Sequence, residues 1–308
     1  MTYNTYIMYR KEIRKGNIDM ALSEAQYRAL DKTHCYASML KTLHTSSAKH
    51  LDIRKESESM AFGTLAHLYF LEPDKFASTV VVVPEFKPET KEDIEKYAES
   101  CVNGVVGEVK RGWTNTTHCK EMKTAFEASV GSKSVISIAD MTRLEKMMAS
   151  TLETYPTMFN KLMRGGEAEV SVVMDRMPHK YGETEFFVPG KARFDYMKEF
   201  GGDIVVADLK TCQSSHPKAF KHDSIKWGYD IQGAWYSDLG MAKFGKPVKF
   251  VFLAVETQPP FNAVFYDMSE EMYNYGKTKY ANVLEEAVDI INGKEKLGYT
   301  QKDKVLSL

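Results

Sequence analysis

The strongest constraint on the fold is the segment DIVVADLKT (203–211), an almost continuous apolar run that ends in charged residues. A strand covered on both faces needs apolar side chains at successive positions, whereas a strand with one face in water alternates. The segment therefore predicts the central strand of a sheet with helices on both faces. A side-chain period of two places Asp208 and Lys210 on one face, where the apolar run ends.

Other segments complete a pattern of strands and helices. Residues 57–71 predict a buried helix, because apolar residues crowd it and Pro73 disfavours helical backbone at Glu72. Residues 166–197 alternate, pass through turn residues and alternate again, which predicts a β-hairpin. The other predicted elements are strands in STVVVVPEF, VKFVFLAVETQ and NAVFYDMS, and helices after Ser23, over 119–164, after a cap at Asp223 and over 269–292. The pattern is typical of an α/β fold.

We expect one domain over residues 1–308, because neither an internal repeat nor a Pro/Ser-rich linker divides the chain. Residues 1–56 are polar with helical spacing and predict an N-terminal helical extension. Residues 57–292 would form the core. Within the core, residues 85–118 are charged and then rich in Gly and Thr, and we expect them to form a mobile insertion.

Charge and cysteine content limit the function classes. The chain has 41 Lys+Arg and 42 Asp+Glu, so nucleic acid would have to bind at a local basic groove. The four cysteines form no CxxC pair, which indicates reduced thiols and neither a zinc site nor an iron–sulfur cluster. No apolar run approaches the roughly 18 residues of a membrane span. The first 20 residues lack the apolar core of a secretory signal, and we expect a cytoplasmic protein without a membrane partner.

Three carboxylates in the predicted strands indicate a metal site. Asp195 precedes Asp208 by 13 residues and Glu169 lies a further 26 residues back, so hairpin pairing would bring them together. Two carboxylates about 5 Å apart repel by roughly 3 kcal/mol at an effective dielectric of about 20. A divalent cation would remove that penalty, and oxygen ligands favour Mg²⁺ or Mn²⁺ over Zn²⁺. Such a site can polarise a phosphodiester, with Lys210 orienting the nucleophile or offsetting charge on the phosphate.

Taken singly, these residues have plainer interpretations. An Asp-X-Lys pair at a strand end is often a surface ion pair. A carboxylate in a strand usually faces solvent, and Glu167 competes with Glu169 for the place in the site. Lys191 and Arg193 would then be exposed charges of the hairpin. The metal-site interpretation depends on companion residues elsewhere in the chain.

Those companions resemble a known nuclease superfamily. A helical Gly63-Thr-Leu-Ala-His67, a strand Asp195, Asp208-Leu-Lys210 and a helical Gln232-Gly-Ala-Trp-Tyr236 follow in this order. They are similar to the GxxxH, D, DxK and QxxxY motifs of the RecB-like branch of the PD-(D/E)XK nucleases, with Phe194 before the first aspartate. The likeness is strongest to RecE-type exodeoxyribonuclease VIII. It rests on GTLAHLYFLEPDKF, VVADLKTCQSSHPKAFKHDSIKWGYDIQGAWYSD and VKFVFLAVET, and covers about residues 57–292.

The resemblance implies a PD-(D/E)XK nuclease core with a central mixed β-sheet flanked by helices. The implied metal ligands are Asp195, Asp208, Glu169, His67 and the backbone carbonyl of Leu209. The implied catalytic residues are Lys210, Asp208, Asp195, Glu169, Gln232 and Tyr236. The residues alone leave two alternatives open: His67 is a hydrogen-bonded core histidine, and Tyr236 packs its ring against the sheet.

A basic segment follows the central strand. Over residues 210–226 four lysines oppose only Asp223, which leaves a local charge of +3. Basic and hydroxyl side chains bind phosphates without reading sequence. The predicted DNA contacts are Lys218, Lys221, Lys226, Ser214 and Arg193; the alternative is a solvated loop and helix start.

These observations predict a Mg²⁺-dependent DNA exonuclease that acts on duplex ends. The resemblance implies 5′→3′ resection for a partner single-strand annealing protein, phage or prophage origin and a ring-like homo-oligomer. ATP is not expected, because no GxxxxGK[ST] loop occurs. Two alternatives stay open: a structure-specific or nicking endonuclease on the same core, and a non-catalytic DNA-binding recombination protein.

Overall fold

A computed structural model describes residues 22–53, 57–83, 130–181 and 184–299, together with positions 124 and 128. The expected mobile insertion, 85–118, lies outside the described residues. None of the described helices is both long and apolar enough to cross a membrane.

The described part of the chain contains seven strands and nine α-helices. The strands are β1 (Val80–Val83), β2 (Ser134–Ser137), β3 (Glu167–Tyr181), β4 (Thr184–Phe200), β5 (Asp203–Cys212), β6 (Val248–Glu256) and β7 (Ala263–Asp267). The helices are α1 (Glu24–Ala29), α2 (Ala37–Thr45), α3 (Glu58–Leu71), α4 (Pro73–Thr79), α5 (Ile138–Thr154), α6 (Pro156–Met163), α7 (Pro217–Lys226), α8 (Tyr229–Phe244) and α9 (Glu270–Ile291).

Strands β3 to β7 form one mixed sheet in chain order, and β5 is its central strand. The β5–β6 pair is parallel and the other pairs are antiparallel. Strands β1 and β2 form a separate parallel pair. The prediction of an α/β fold with a central mixed sheet is confirmed.

Helices cover both faces of the sheet, as the apolar run in β5 predicts. Val206 belongs to a core that β5 shares with α2, α8 and α9. Ala207 and Leu209 belong to a second core, which α3, α5 and α6 complete. All six residues of 204–209 are buried, so each face of β5 packs against helices.

Local capping signals determine where several predicted elements begin. The Ser57 side chain accepts a hydrogen bond from the Met60 amide at the start of α3, and Ser269 does the same for α9. Ser23 forms a capping box with Gln26 ahead of α1. The structure confirms the predicted helices at 57–71 and 269–292. It also confirms the predicted hairpin at 166–197, which β3 and β4 form.

Two local predictions are wrong. Asp223 does not cap a helix, because α7 already begins at Pro217, behind a cap formed by His216, and Gly228 in the left-handed region separates it from α8. Residues 119–164 are not helical throughout, because β2 lies among them. Its register with β1, Val81 opposite Val135, depends on a pairing partner more than 50 residues away.

Candidate active site

The central part of the site lies on the β3–β4 pair, at Glu169. Ala168 lies opposite Tyr196 and Val170 opposite Phe194, and Glu169 between them takes a φ of 55°. Backbone in this region is strained for a residue with a Cβ, and it persists only where the surroundings hold it.

Three side chains converge at this point. His67 from α3, Glu169 from β3 and Asp195 from β4 each offer a ligand atom, and these atoms all lie within 4.8 Å of one another. His67 Nδ1 is 3.3 Å from Asp195 Oδ2. We call these residues the three-residue group. Of the two glutamates left open by the sequence, Glu169 belongs to the group and Glu167 does not.

The GxxxH spacing explains how α3 delivers its histidine. Gly63 and His67 are one turn apart, so they share a helix face. A Cβ added at Gly63 would lie 3.4 Å from Thr211 Oγ1 on β5, which shows that α3 approaches the strand closely there. The close approach brings the imidazole of His67 to the sheet.

Asp208 lies beside this group, not in it. Its carboxylate is fully buried, accepts a 2.7 Å hydrogen bond from Gln232 Nε2 through Oδ1, and lies 2.5 Å from Lys210 Nζ through Oδ2. The Leu209 amide donates a 2.9 Å hydrogen bond to Asp195 Oδ2, so β5 orients the aspartate of β4. Metal ligation by Asp208 and by the Leu209 carbonyl stays a prediction.

Lys210 is enclosed by polar and aromatic groups. Its Nζ lies 3.4 Å from Gln232 Oε1 and 4.8 Å from the centre of the Tyr229 ring. Burial alone would lower the pKa of Lys210, but the charges of Asp208 and Asp195 outweigh it and raise the pKa. Lys210 is therefore a cation near neutral pH, which suits it to offset phosphate charge rather than to act as a base.

The carboxyls of the group are destabilised in their ionised form. Burial and then the charge of Asp208 raise the pKa of Asp195, although His67 and Lys210 oppose them. Burial and then Asp195 raise the pKa of Glu169 to about 7. Converging oxygen and imidazole donors with this excess of negative charge fit a divalent cation, which the three-residue group would hold.

Tyr236 lies in the core, as the plainer interpretation of this residue has it. The centre of its ring lies 5.3 Å from the ring centre of Phe194 and 6.1 Å from that of Phe250, and only 9% of the residue is exposed. Burial raises the pKa of Tyr236 well above its ordinary value. A catalytic role for this phenol stays a prediction.

Helix α7 presents the predicted DNA lysines. Lys218, Lys221 and Lys226 are exposed and share one half of the helix surface, while Phe220 on the other half stacks on Tyr266 at 4.9 Å. Ser214, in the loop before α7, accepts a 3.3 Å hydrogen bond from the His216 amide.

The two hairpin cations are engaged within the chain. Arg193 forms an ion pair with Glu24 and donates a 2.8 Å hydrogen bond to the Leu22 carbonyl, so α1 already binds the side chain proposed to contact DNA. Lys191 is not an exposed charge, because it is fully buried, pairs with Asp31 and donates to the Tyr27 carbonyl at 2.6 Å.

One site residue escaped the sequence analysis. Lys41, from α2, donates a 2.8 Å hydrogen bond to Gln232 Oε1, although it precedes every motif considered above. The sequence contains a signal, because Lys41 stands among the apolar residues Met39, Leu40 and Leu43. The structure buries all three of these neighbours.

Comparison with known proteins places the chain by sequence and by fold. The model of a family described as a PDDEXK-like domain of unknown function (DUF3799) matches residues 23–305. No curated protein matches the chain by sequence. The crystal structure of a "Putative exonuclease" from Eubacterium rectale aligns with a TM-score of 0.54 and 14% identity over 94% of this chain and 96% of that one, a likeness in fold alone. The structure of SSO0001 aligns at a TM-score of 0.26, with 12% identity over 84% and 88% of the two chains, and carries no argument.

Proposed function

Because the chain belongs to the PDDEXK-like family DUF3799, we propose that it is a divalent-metal-dependent deoxyribonuclease. The observation that carries this proposal is the convergence of His67, Glu169 and Asp195 beside the buried Asp208–Lys210 pair. Carboxylates that hold a cation next to a lysine provide what hydrolysis of a phosphodiester requires.

A divalent cation at the three-residue group would polarise the scissile phosphodiester and make a water molecule more acidic. In hydrolysis the oxygen of water releases one proton and forms a new bond to phosphorus, the bond to the leaving oxygen breaks, and the leaving oxygen takes up a proton. The leaving group and the phosphate both gain negative charge during this exchange.

The chain's own residues would stabilise that charge. Lys210 is protonated and would face the developing charge on the phosphate. Gln232 would hold this lysine in place through Oε1 while its Nε2 fixes the Asp208 carboxylate. The Leu209 amide fixes Asp195 in the same way, so the polar side chains are held before substrate arrives.

The exposed lysines of α7 and Ser214 would bind the DNA backbone. They follow β5, which carries Asp208 and Lys210, by fewer than 20 residues, and α7 is anchored to the sheet through Phe220. Contacts with phosphates would set the register of the duplex without reading its sequence.

The finer assignment rests on the motif resemblance to RecE-type enzymes. We propose an exonuclease that uses Mg²⁺, degrades duplex ends in the 5′→3′ direction and leaves a 3′ strand for a single-strand annealing protein. Assembly into a homo-oligomer around DNA is part of the same proposal.

Digestion of linear duplex labelled at either end tests this function. We expect release of 5′ label in Mg²⁺, none in a chelator, and no cleavage of a covalently closed circle. Opening of the circle would favour the endonuclease alternative. No cleavage of either substrate in Mg²⁺ or Mn²⁺, with DNA binding intact, would favour the non-catalytic alternative.

A further inference from the structure

Lys41 reaches the site from a helix outside the motif region. Its Nζ donates to Gln232 Oε1 at 2.8 Å and lies 5.5 Å from the centre of the Tyr229 ring. Its aliphatic stem packs on Gly228, where an added Cβ would lie 3.0 Å from Lys41 Cγ. Gly228 takes a φ of 64°, which favours glycine. The backbone conformation and the close approach of Lys41 therefore both disfavour a side chain at this position.

The charge of Lys41 has no counter-ion within the described residues. No carboxylate of that part of the chain forms an ion pair with it, whereas Lys210 pairs with Asp208. Burial and then the charge of Lys210 lower the pKa of Lys41 to about 7, although the charges of Asp208, Asp230 and Asp195 oppose them. A partly buried ammonium that forms no ion pair is unfavourable, and an anion bound beside it would relieve that cost.

The two lysines converge on one acceptor. Lys41 Nζ and Lys210 Nζ lie 2.8 and 3.4 Å from the same oxygen, Gln232 Oε1. Two ammonium groups around a neutral amide oxygen repel each other, and among the described residues only Lys210 forms an ion pair with a carboxylate. An anion with several oxygens can accept hydrogen bonds from both amines at once.

We propose that Lys41 and Lys210 together form a phosphate-binding position beside the three-residue group. The ligand class is a phosphate or phosphoester oxyanion. That the phosphate belongs to DNA rests on the proposed nuclease function; binding of phosphate itself does not. Lys41 is then a phosphate-binding residue supplied by the segment ahead of the motif region.

The competing role is purely structural: Lys41 would only hold the Gln232 amide in place. Two variants separate the roles. Lys41→Gln can still donate a hydrogen bond but has no charge, and Lys41→Met keeps the length of the stem without either property. A structural role predicts that Lys41→Gln behaves more like the wild type than Lys41→Met does.

The primary experiment titrates inorganic phosphate into the metal-free full-length chain, in a chelator at pH 6, and follows binding by calorimetry. We expect the wild type to bind and both Lys41 variants to lose about tenfold or more in affinity, because each loses the charge. Lys49→Met, which removes an exposed lysine from the following turn, should bind as the wild type does. No binding by the wild type, or equal binding by Lys41→Met, would overturn the proposal.

Thermal unfolding shows whether the variants fold. Because the substitution removes a partly buried charge that forms no ion pair within the described residues, Lys41→Met should unfold at the same temperature or higher. Lys41→Arg provides a second check, since it retains the charge and should retain most of the phosphate affinity. Loss of binding in this arginine variant as complete as in the methionine variant would contradict a role for the charge.

Cleavage of duplex DNA separates this inference from the proposed function. If both are right, Lys41→Met raises KM about tenfold or more, and Lys49→Met does not. If phosphate binds through Lys41 but the wild type cleaves nothing, the binding site stands and the nuclease proposal fails. If the wild type cleaves DNA and Lys41→Met binds phosphate and cleaves normally, the nuclease proposal stands and this inference fails.

Discussion

Glu169 combines strained backbone with a desolvated charge in a single residue. Its φ of 55° costs of the order of 1 kcal/mol, and its carboxyl lies in the three-residue group with His67 and Asp195. Burial and Asp195 raise its pKa to about 7. Without a bound cation, Glu169 therefore lowers the free energy of unfolding. Such a cost is expected where function competes with stability.

The pH dependence of stability should report this carboxyl. Its pKa is higher in the folded chain than in the unfolded one, so its stabilising contribution is full below about pH 4.5 and is lost as pH rises through about 7. In the absence of metal, the stability difference between Glu169→Gln and the wild type should therefore grow in favour of the variant by about 1–3 kcal/mol as the pH rises from 5 to 8. Urea unfolding in a chelator measures this, with Glu167→Gln as the control outside the group; parallel pH profiles for wild type and Glu169→Gln would contradict it.

The buried Asp208–Lys210 pair should be revealed by a double-mutant cycle. Asp208→Ala or Lys210→Ala alone leaves an uncompensated buried charge and should cost about 3–5 kcal/mol of stability. Removing both should cost less than the sum of the two. All three variants should lose cleavage by about a hundredfold or more. Additive stability losses would contradict the energetic coupling of the pair, and normal cleavage by either single variant would contradict its catalytic role.

At the scale of elements, the site depends on how closely helices approach the sheet. Helix α3 meets β5 at Gly63, one turn before His67, and α7 is anchored by Phe220 so that its basic half faces outward. Neither position contributes a ligand to the three-residue group. Both set where chemically active side chains lie.

Two substitutions of Gly63 should distinguish the effect of helix propensity from the effect of the distance between α3 and β5. Gly63→Ala places a Cβ at ordinary contact distance, 3.4 Å from Thr211 Oγ1, and should stabilise the helix by about 0.5–1 kcal/mol. Gly63→Val adds two methyl groups against β5 and should displace His67. Mn²⁺ should therefore raise the unfolding temperature of the wild type and Gly63→Ala, and raise that of Gly63→Val much less. An equal shift in all three would mean that α3 does not set the position of His67.

The basic half of α7 should determine how DNA binding depends on salt. Each phosphate contact contributes about 0.9 to the slope of log affinity against log salt. Replacing Lys218, Lys221 and Lys226 by Met should lower the slope magnitude by about 2–3, measured with duplex DNA in a chelator. Lys49→Met serves as the control and should leave the slope unchanged. An unaltered slope in the triple variant would place the DNA elsewhere.

For the whole molecule, the segment ahead of α3 is part of the fold. The Cys35 amide donates to the Pro189 carbonyl and the Lys191 amide donates to the Cys35 carbonyl, both at 2.9 Å, so this segment pairs with β4. Leu40 and Leu43 of α2 pack in the same core as Trp235 of α8. The same segment places Lys41 beside Gln232, so its packing on the sheet also positions a residue of the site.

Leu40→Ala should test this integration. Leu40 is fully buried, and its truncation should cost about 2–5 kcal/mol. With Trp113 and Trp227 replaced by Phe, the unfolding transitions followed by the fluorescence of the buried Trp235 and by far-ultraviolet circular dichroism should shift together to lower denaturant concentration. A Leu40→Ala variant in which the Trp235 transition stays in place would show that α2 unfolds independently of the sheet.

Features that depend on near neighbours were predictable from the sequence. The serine caps of α3 and α9 and the apolar run in β5 are local signals, and they led to correct elements. Carboxylate chemistry and the motif resemblance point to Glu169 and Asp195 as ligands, the resemblance alone adds His67, and the structure brings the three side chains together. The boundary between α7 and α8 was not predictable from Asp223, because Pro217 and Gly228 dominate the backbone there.

Contacts between distant segments depended on the tertiary structure. Backbone geometry at Glu169, rather than strand alternation, distinguishes it from Glu167. Lys41 meets Gln232 across 191 positions of sequence, and Arg193 meets Glu24 across 169. Local periodicity depends on side chains a few residues apart and can be read along the chain. Which charges lose their solvent, and which partners replace it, is decided only when both faces of the sheet are packed.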